Sequence, residues 1–408
     1  MTPAWRWQDA ACWQSCSTQA RDVATAWQHA MPSHHAALGA LAAQQPLVAD
    51  ISIADRVIPE VAALQQYAQQ LVVIGTGGAS LGAQALCALA EQPTQVRFLE
   101  NCDPVTMAQF MKLPRETTAW CIISKSGETV ETLAATLSLV AHYSNAPELL
   151  APRLRIITSD MASSLGQLAT ARGWKVLDHP PTLGGRFSVF SMVGLLPAAF
   201  AGLDVHTMLQ HASACMQHYL QAPQQEFWAQ AHWLAANAAE KPMHVLMAYA
   251  DRLRPSTQWF KQLLAESLGK AQRGLTPVTA IGAIDQHSQL QLYLDGPRDK
   301  LMTLWLPDMA EQGAPLPACD VPGMAYLAGH RMGAVMQATA EATVQTLTKA
   351  GVPVRVLRGT LTPASLSAWM AQQMLEILAV SVLLEVDPYS QPAVEEGKHL
   401  TRQALRSA

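Results

Sequence analysis

Two short polar stretches carry the residue types that hold a phosphoryl group. The first is VVIGTGGASLGAQAL, residues 72–86, where an apolar run meets a glycine-rich turn and then a helical pattern. Gly75, Gly77 and Gly78 allow a tight turn that brings amide N–H groups close to a ligand. The helix start adds unpaired amides and the positive end of its dipole, and Ser80 adds a hydroxyl. The second is IISKSGETVETL, residues 122–133, which offers the hydroxyls of Ser124, Ser126, Thr129 and Thr132 and the charge of Lys125. An ionised phosphate has acceptor oxygens and no donor, so hydroxyls, amides and one cation at a helix start satisfy it. Each loop alone has a plainer reading. The first could be a bare strand–helix turn. The second could be a capping box, with Ser126 and Thr129 as caps and Glu128 and Glu131 complementing the dipole. Two such loops in one α/β block favour a phosphate site. Nucleotide motifs fail on the letters: Ser80 stands where GxGxxG needs its third glycine, and Ala83 follows Gly82 where a Walker motif needs lysine.

The segment SKSGET also fits the SxSGxT pattern of sugar isomerase (SIS) domains, and its place after a GxGGxS loop is similar too. That resemblance implies that Ser124, Ser126 and Thr129 hold a sugar phosphate, with Gly78, Ser80 and Lys125 close by. Four further stretches follow: GGRFSVFSMVGLLP (184–197), WFKQLLAESLGK (259–270), AIGAIDQHSQLQLYLDGP (280–297) and DPYSQPAVEEGK (387–398). With the phosphate loop they resemble, in order, the motifs of the phosphoglucose isomerase family over roughly residues 70 to 400. The implied activity is metal-independent isomerisation of glucose 6-phosphate and fructose 6-phosphate, with no cofactor.

The chemistry explains the residue types. Aldose–ketose isomerisation moves a proton between adjacent carbons through an enediol, and one partly buried carboxylate can remove and return it. Glu266 is assigned this role, and Gln262, one turn earlier on the same face, a substrate hydroxyl. Without the resemblance, Glu266 reads more simply as a surface partner of Lys270 at i, i+4. Arg186, after two glycines, is placed to neutralise the enediolate oxygen, since a guanidinium stays charged at any working pH. Ring opening needs an acid and a base, and His287 suits this by its pKa, although one of thirteen histidines is more often structural. The resemblance implies that His287 works with Lys398 and reaches the site of a neighbouring subunit, making a homodimer, and that Gln391 contacts substrate.

The positioning elements can be read as well. Apolar runs at 71–75, 120–124 and 154–159 alternate with helical patterns, and a second block has strands at 244–249, 277–284, 301–306 and 352–357. Such alternation predicts mostly parallel sheets covered on both faces, two α/β/α sandwiches, which the resemblance implies are of the SIS type. The expected division is a helical segment over 1–45, a first sandwich over 46–215, a second over 216–360, and a C-terminal helical segment over 361–408 that carries Lys398 to the cleft. Thr362 and Pro363 mark a helix start, and 307–323, with four prolines, an ordered surface loop.

Half of the 408 residues are hydrophobic and 14% are charged, which excludes a disordered chain. A net charge of −4 without a basic run argues against nucleic acid. Seven scattered cysteines without a CxxC pair read as thiols in a reducing compartment, and Cys12 and Cys16 lack companions for a zinc site. The N-terminus lacks a signal-peptide pattern, and the apolar run 377–384 falls short of the roughly 20 residues of a membrane span, so a cytoplasmic enzyme is expected. The alternatives are a non-enzymatic phosphosugar sensor, an isomerase that also accepts mannose 6-phosphate, a dinucleotide-dependent oxidoreductase and a metal-dependent isomerase. The broken fingerprint at Ser80 and the lack of HxH or HExxH spacing weigh against the last two.

Overall fold

The computed structural model describes residues 5–9, 18–48, 50–92, 95–407. Cys12 and Cys16 lie outside them. Two five-stranded sheets organise the chain. The first contains β2 (Gln70–Ile74), β3 (Val96–Leu99), β4 (Thr118–Ile123), β5 (Leu154–Thr158) and β6 (Val176–Asp178), in the order β3-β2-β4-β5-β6 and parallel throughout. The second contains β7 (Met243–Ala248), β8 (Thr276–Ile281), β9 (Lys300–Pro307) and β10 (Val354–Gly359), all parallel, with β1 (Trp5–Asp9) antiparallel on its edge, in the order β1-β10-β9-β7-β8. The N-terminal segment is therefore not wholly helical: Trp5–Asp9 is a strand and the helix begins at Thr18.

Burial explains the strands. β4, β5 and β9 are buried along their whole length, as expected of sheets covered on both faces. Chain order reverses between β2 and β4 in the first sheet and between β7 and β9 in the second. Loops leaving the carboxyl ends of strands at such a reversal diverge and open a crevice. Both phosphate-type loops leave the first reversal, after β2 and after β4. The helix Arg254–Leu268, which follows β7, leaves the second.

The helix Pro363–Leu384 is buried along most of its length. Thr362 Oγ1 accepts from Ser365 N while Ser365 Oγ accepts from Thr362 N, a capping box that fixes its start. It packs against the helices Thr18–Ala42, Val205–Gln221, Gln225–Asn237 and Arg254–Leu268. Its 22 residues are long and apolar enough to cross a membrane, a length that the run 377–384 alone does not convey. Among the described residues it is the only helix to pass that test, and 89% of its apolar window is buried inside the protein. Trp305 and Trp369 stack at 3.9 Å between their ring centroids where this helix meets β9.

Candidate active site

The site forms where the helix Arg254–Leu268 crosses the turns of the first sheet. Gly77 adopts φ +56°, and a Cβ there would meet the Gln262 amide at 2.9 Å. A Cβ on Gly78 would lie 2.3 Å from the Gly185 carbonyl carbon, inside its van der Waals surface. The two glycines thus let three segments meet: the turn after β2, the Gly185–Phe187 turn and the helix bearing Gln262 and Glu266. Ser188 Oγ donates to Gly185 O at 2.8 Å and sews the second turn together.

Glu266 sits at this junction with its side chain one-third exposed. Oε2 accepts from Arg186 Nη1 at 3.1 Å and from Gln391 Nε2 at 2.8 Å, and Oε1 accepts from Gln262 Nε2 at 2.9 Å. Its charge partner is Arg186, and Lys270 instead donates from Nζ to Ser267 O at 3.2 Å and to Asp387 O. Arg186 is 2% exposed. Its Nε donates to Ser267 Oγ at 2.9 Å, and Nη2 donates to Pro388 O and, at 3.2 Å, to Tyr389 O. Burial pulls the proton affinity of this guanidinium down and the Glu266 carboxylate pushes it back up, which leaves a charged group fixed on four sides. Such a pair can take a proton from a carbon acid and stabilise the resulting oxyanion without reorganising.

The loop after β4 leaves the carboxyl end of the strand next to β2. Ser124 is buried with its Oγ 3.1 Å from Thr129 Oγ1, Ser126 is exposed and accepts from Glu128 N at 3.2 Å, and Lys125 is half-buried. Burial lowers the Lys125 proton affinity. No capping hydrogen bond engages Thr129 at the start of the helix Val130–His142, so the plainer capping reading fails for that residue. Ser80 is fully buried, and its Oγ accepts from Gln84 Nε2 at 2.8 Å, so it braces its turn from inside.

The structure thus brings together Glu266, Arg186, Gln262, Gln391 and Gly78. His287 is exposed beside the Ile284–Gln286 turn, and no hydrogen bond or ion pair among the described residues joins it to Glu266. Lys398 does not reach the cleft in the single chain. It lies on the exposed helix Glu395–Ser407 and pairs with Glu395 Oε1 at 2.7 Å, the nearest acid on its own helix face. That helix touches the phosphate-type loop through Arg402 Nη2, which donates to Glu128 O at 2.9 Å. Sequence reasoning missed Ser267 and the carbonyls of Pro388 and Tyr389. Ser267 stands inside the ESLGK signature, but backbone acceptors have no letter. It also missed Gln45, whose Oε1 accepts from Gly184 N at 2.9 Å. Among the described residues no group of three or more His, Cys, Asp or Glu could hold a metal.

Two mostly parallel α/β sheets, with a buried guanidinium paired to a partly exposed carboxylate beside glycine turns, fit a phosphosugar-handling enzyme of the SIS type. The comparisons specify the family. The phosphoglucose isomerase family model matches residues 61–284. A glucose-6-phosphate isomerase from Rubrobacter xylanophilus is 34% identical over 377 residues, 88% of this chain and 86% of the relative. The chain belongs to the phosphoglucose isomerase family. Among solved structures, a hypothetical protein from Thermus thermophilus superposes with a TM-score of 0.90 at 30% identity, over 98% of this chain and 99% of that one. A glucose-6-phosphate isomerase from Chlamydia trachomatis superposes at 0.75 and 21% identity, over 91% and 78%, and so shares the fold.

Proposed function

We propose that this protein interconverts glucose 6-phosphate and fructose 6-phosphate as a cytoplasmic, metal-independent homodimer. The observation that carries the reading is Glu266, clamped by Arg186, Gln262 and Gln391 in a crevice floored by the Gly77–Gly78 turn. Ser124, Lys125, Ser126 and Thr129 hold the phosphate, with Ser80 supporting the neighbouring turn. His287 of one chain and Lys398 open the ring by protonating the ring oxygen and taking the anomeric hydroxyl proton. Glu266 then removes the proton from C2 of the open aldose. Charge moves onto O1, where Arg186 stabilises it, and the resulting enediol exchanges a hydroxyl proton between O1 and O2. Glu266 returns its proton to C1 and yields the ketose. The domain limits near 45, 215 and 360 belong to this reading, with the first sandwich holding phosphate and the second supplying the base and the histidine.

The competing reading is a phosphosugar sensor, which needs the hydroxyl turn but no clamped carboxylate. A coupled assay of fructose 6-phosphate turnover by the purified protein, with EDTA throughout, separates them. Sustained turnover supports the isomerase. Binding of sugar phosphate without turnover gives the lead to the sensor, and loss of turnover in EDTA restored by a divalent ion contradicts metal independence.

A further inference from the structure

We infer that Lys270 is a positioning residue that holds the Asp387–Gln391 strap against the catalytic helix, and through it fixes the Glu266–Arg186 pair. The inference rests on the isomerase reading above. The strap does three things at once. Its Pro388 and Tyr389 carbonyls receive Arg186 Nη2, and its Gln391 amide donates to Glu266 Oε2 at 2.8 Å. Its Tyr389 ring stands edge-on to Phe187, next to Arg186, with centroids 5.5 Å apart. Both members of the reactive pair therefore take their orientation from one short irregular segment, which has no sheet or helix of its own to hold it beyond a three-residue turn at Pro392–Val394.

Something must fix that segment. At its middle Tyr389 OH donates to Leu41 O at 2.7 Å. At its first residue, Lys270 Nζ bridges Ser267 O, in the last turn of the helix Arg254–Leu268, and Asp387 O. Asp387 propagates the anchor: its Oδ1 accepts from Tyr389 N at 2.9 Å and its Oδ2 from Ser390 N at 3.2 Å, which sets the strap's turn. The same Ser267 that receives Lys270 on its carbonyl receives Arg186 on its hydroxyl. Lysine suits the task because its ammonium can donate to two carbonyls from one point. Its proton affinity is lowered by burial and by Arg186, so the site keeps a second cation half-buried there at some cost. A solvated charge at the end of a helix would not stand in that position.

The test is Lys270→Met and Lys270→Arg, each assayed for kcat, KM and melting temperature. A displacement of the strap by about 1 Å misplaces the base and the guanidinium without touching the phosphate turn. Lys270→Met should therefore lower kcat about 10–100-fold with KM changed less than about threefold. Lys270→Arg, which keeps a donor to both carbonyls, should recover to within about threefold of wild type. Lys270→Met and Gln391→Ala combined should cost less than the product of the single losses, because both act through one strap. An unchanged kcat, a rise confined to KM, or multiplicative losses would overturn the inference while leaving isomerase activity intact. Absence of turnover in the wild type would instead sink the parent reading. If Lys270→Met does not fold, Lys270→Gln with the same double-variant cycle gives the same discrimination.

Discussion

Replacing Arg186 by lysine keeps one positive charge at the site and removes the fork. The guanidinium now serves Ser267 Oγ, Glu266 Oε2, Pro388 O and Tyr389 O from three nitrogens pointing in different directions. A single ammonium cannot span that set, so at least two acceptors lose their donor. Each buried group left unsatisfied costs about 1–3 kcal/mol, giving about 2–4 kcal/mol of lost stability once the smaller side chain relaxes. At roughly 2–4 °C per kcal/mol for domains of this size, the melting temperature should fall by about 5–15 °C. On the proposed mechanism catalysis should suffer more than stability, because there the guanidinium meets charge that develops in the transition state. Loss of one positioned donor of this kind typically costs ~10²–10³ in kcat. The variant is assayed by fructose 6-phosphate turnover below its melting temperature, alongside differential scanning fluorimetry. Activity within tenfold of wild type, or an unchanged melting temperature, would refute the claim that the fork and not the charge alone is needed.

Two further outcomes follow from the same geometry. Glu266→Gln and His287→Ala should each be inactive, and co-refolding them should restore about a quarter of wild-type activity if each site takes its histidine from the partner, as statistical mixing in a twofold dimer requires; mixtures that stay inactive would place both groups in one chain. Beside the first sheet, Glu60 bridges Arg155 at 2.7 Å and Lys175 at 2.5 Å, with Arg155 buried. Burial raises its proton affinity, but hydrogen bonds from Lys175 and Arg155 hold it below the ordinary value of 4.5. A depressed carboxylate contributes stability that is present above that value and lost as pH falls through the folded-state value. Glu60→Gln should therefore cost about 2–4 kcal/mol at pH 7, with the gap to wild type closing as the pH falls below the ordinary value of 4.5 in urea titrations.

The strands were legible where the physics leaves a mark on composition. β4, β5 and β9 are buried along their whole length and read as mainly apolar runs, interrupted by Arg155 in β5 and Thr303 in β9. β3 was not, because Val96–Leu99 exposes Arg97 and spans four residues, and β6 has three. β1 escaped because Trp5–Asp9 draws its pairing from β10, some 350 residues away, and no local pattern encodes that. At the site, the i, i+4 spacing placed Gln262 and Glu266 on one helix face, but the Gln262 amide expected on a substrate hydroxyl donates to Glu266 Oε1 instead. The cage around Arg186 was unreadable because two of its acceptors are backbone carbonyls, placed by a turn more than 200 residues downstream. Ser80 is buried, and Gln84, one helical turn on, offers its hydroxyl a partly buried donor.

The most direct test of the account follows protons at carbon. Fructose 6-phosphate incubated with the protein in D₂O is monitored by NMR for deuterium at C1, together with phosphosugar binding by the same samples. Wild type should exchange the C1 proton and form glucose 6-phosphate, and Glu266→Gln should lose both by about 10²–10⁴-fold while still binding the sugar phosphate. Deuterium incorporation by Glu266→Gln at close to the wild-type rate would mean that another group moves the proton, and the central assignment would be wrong.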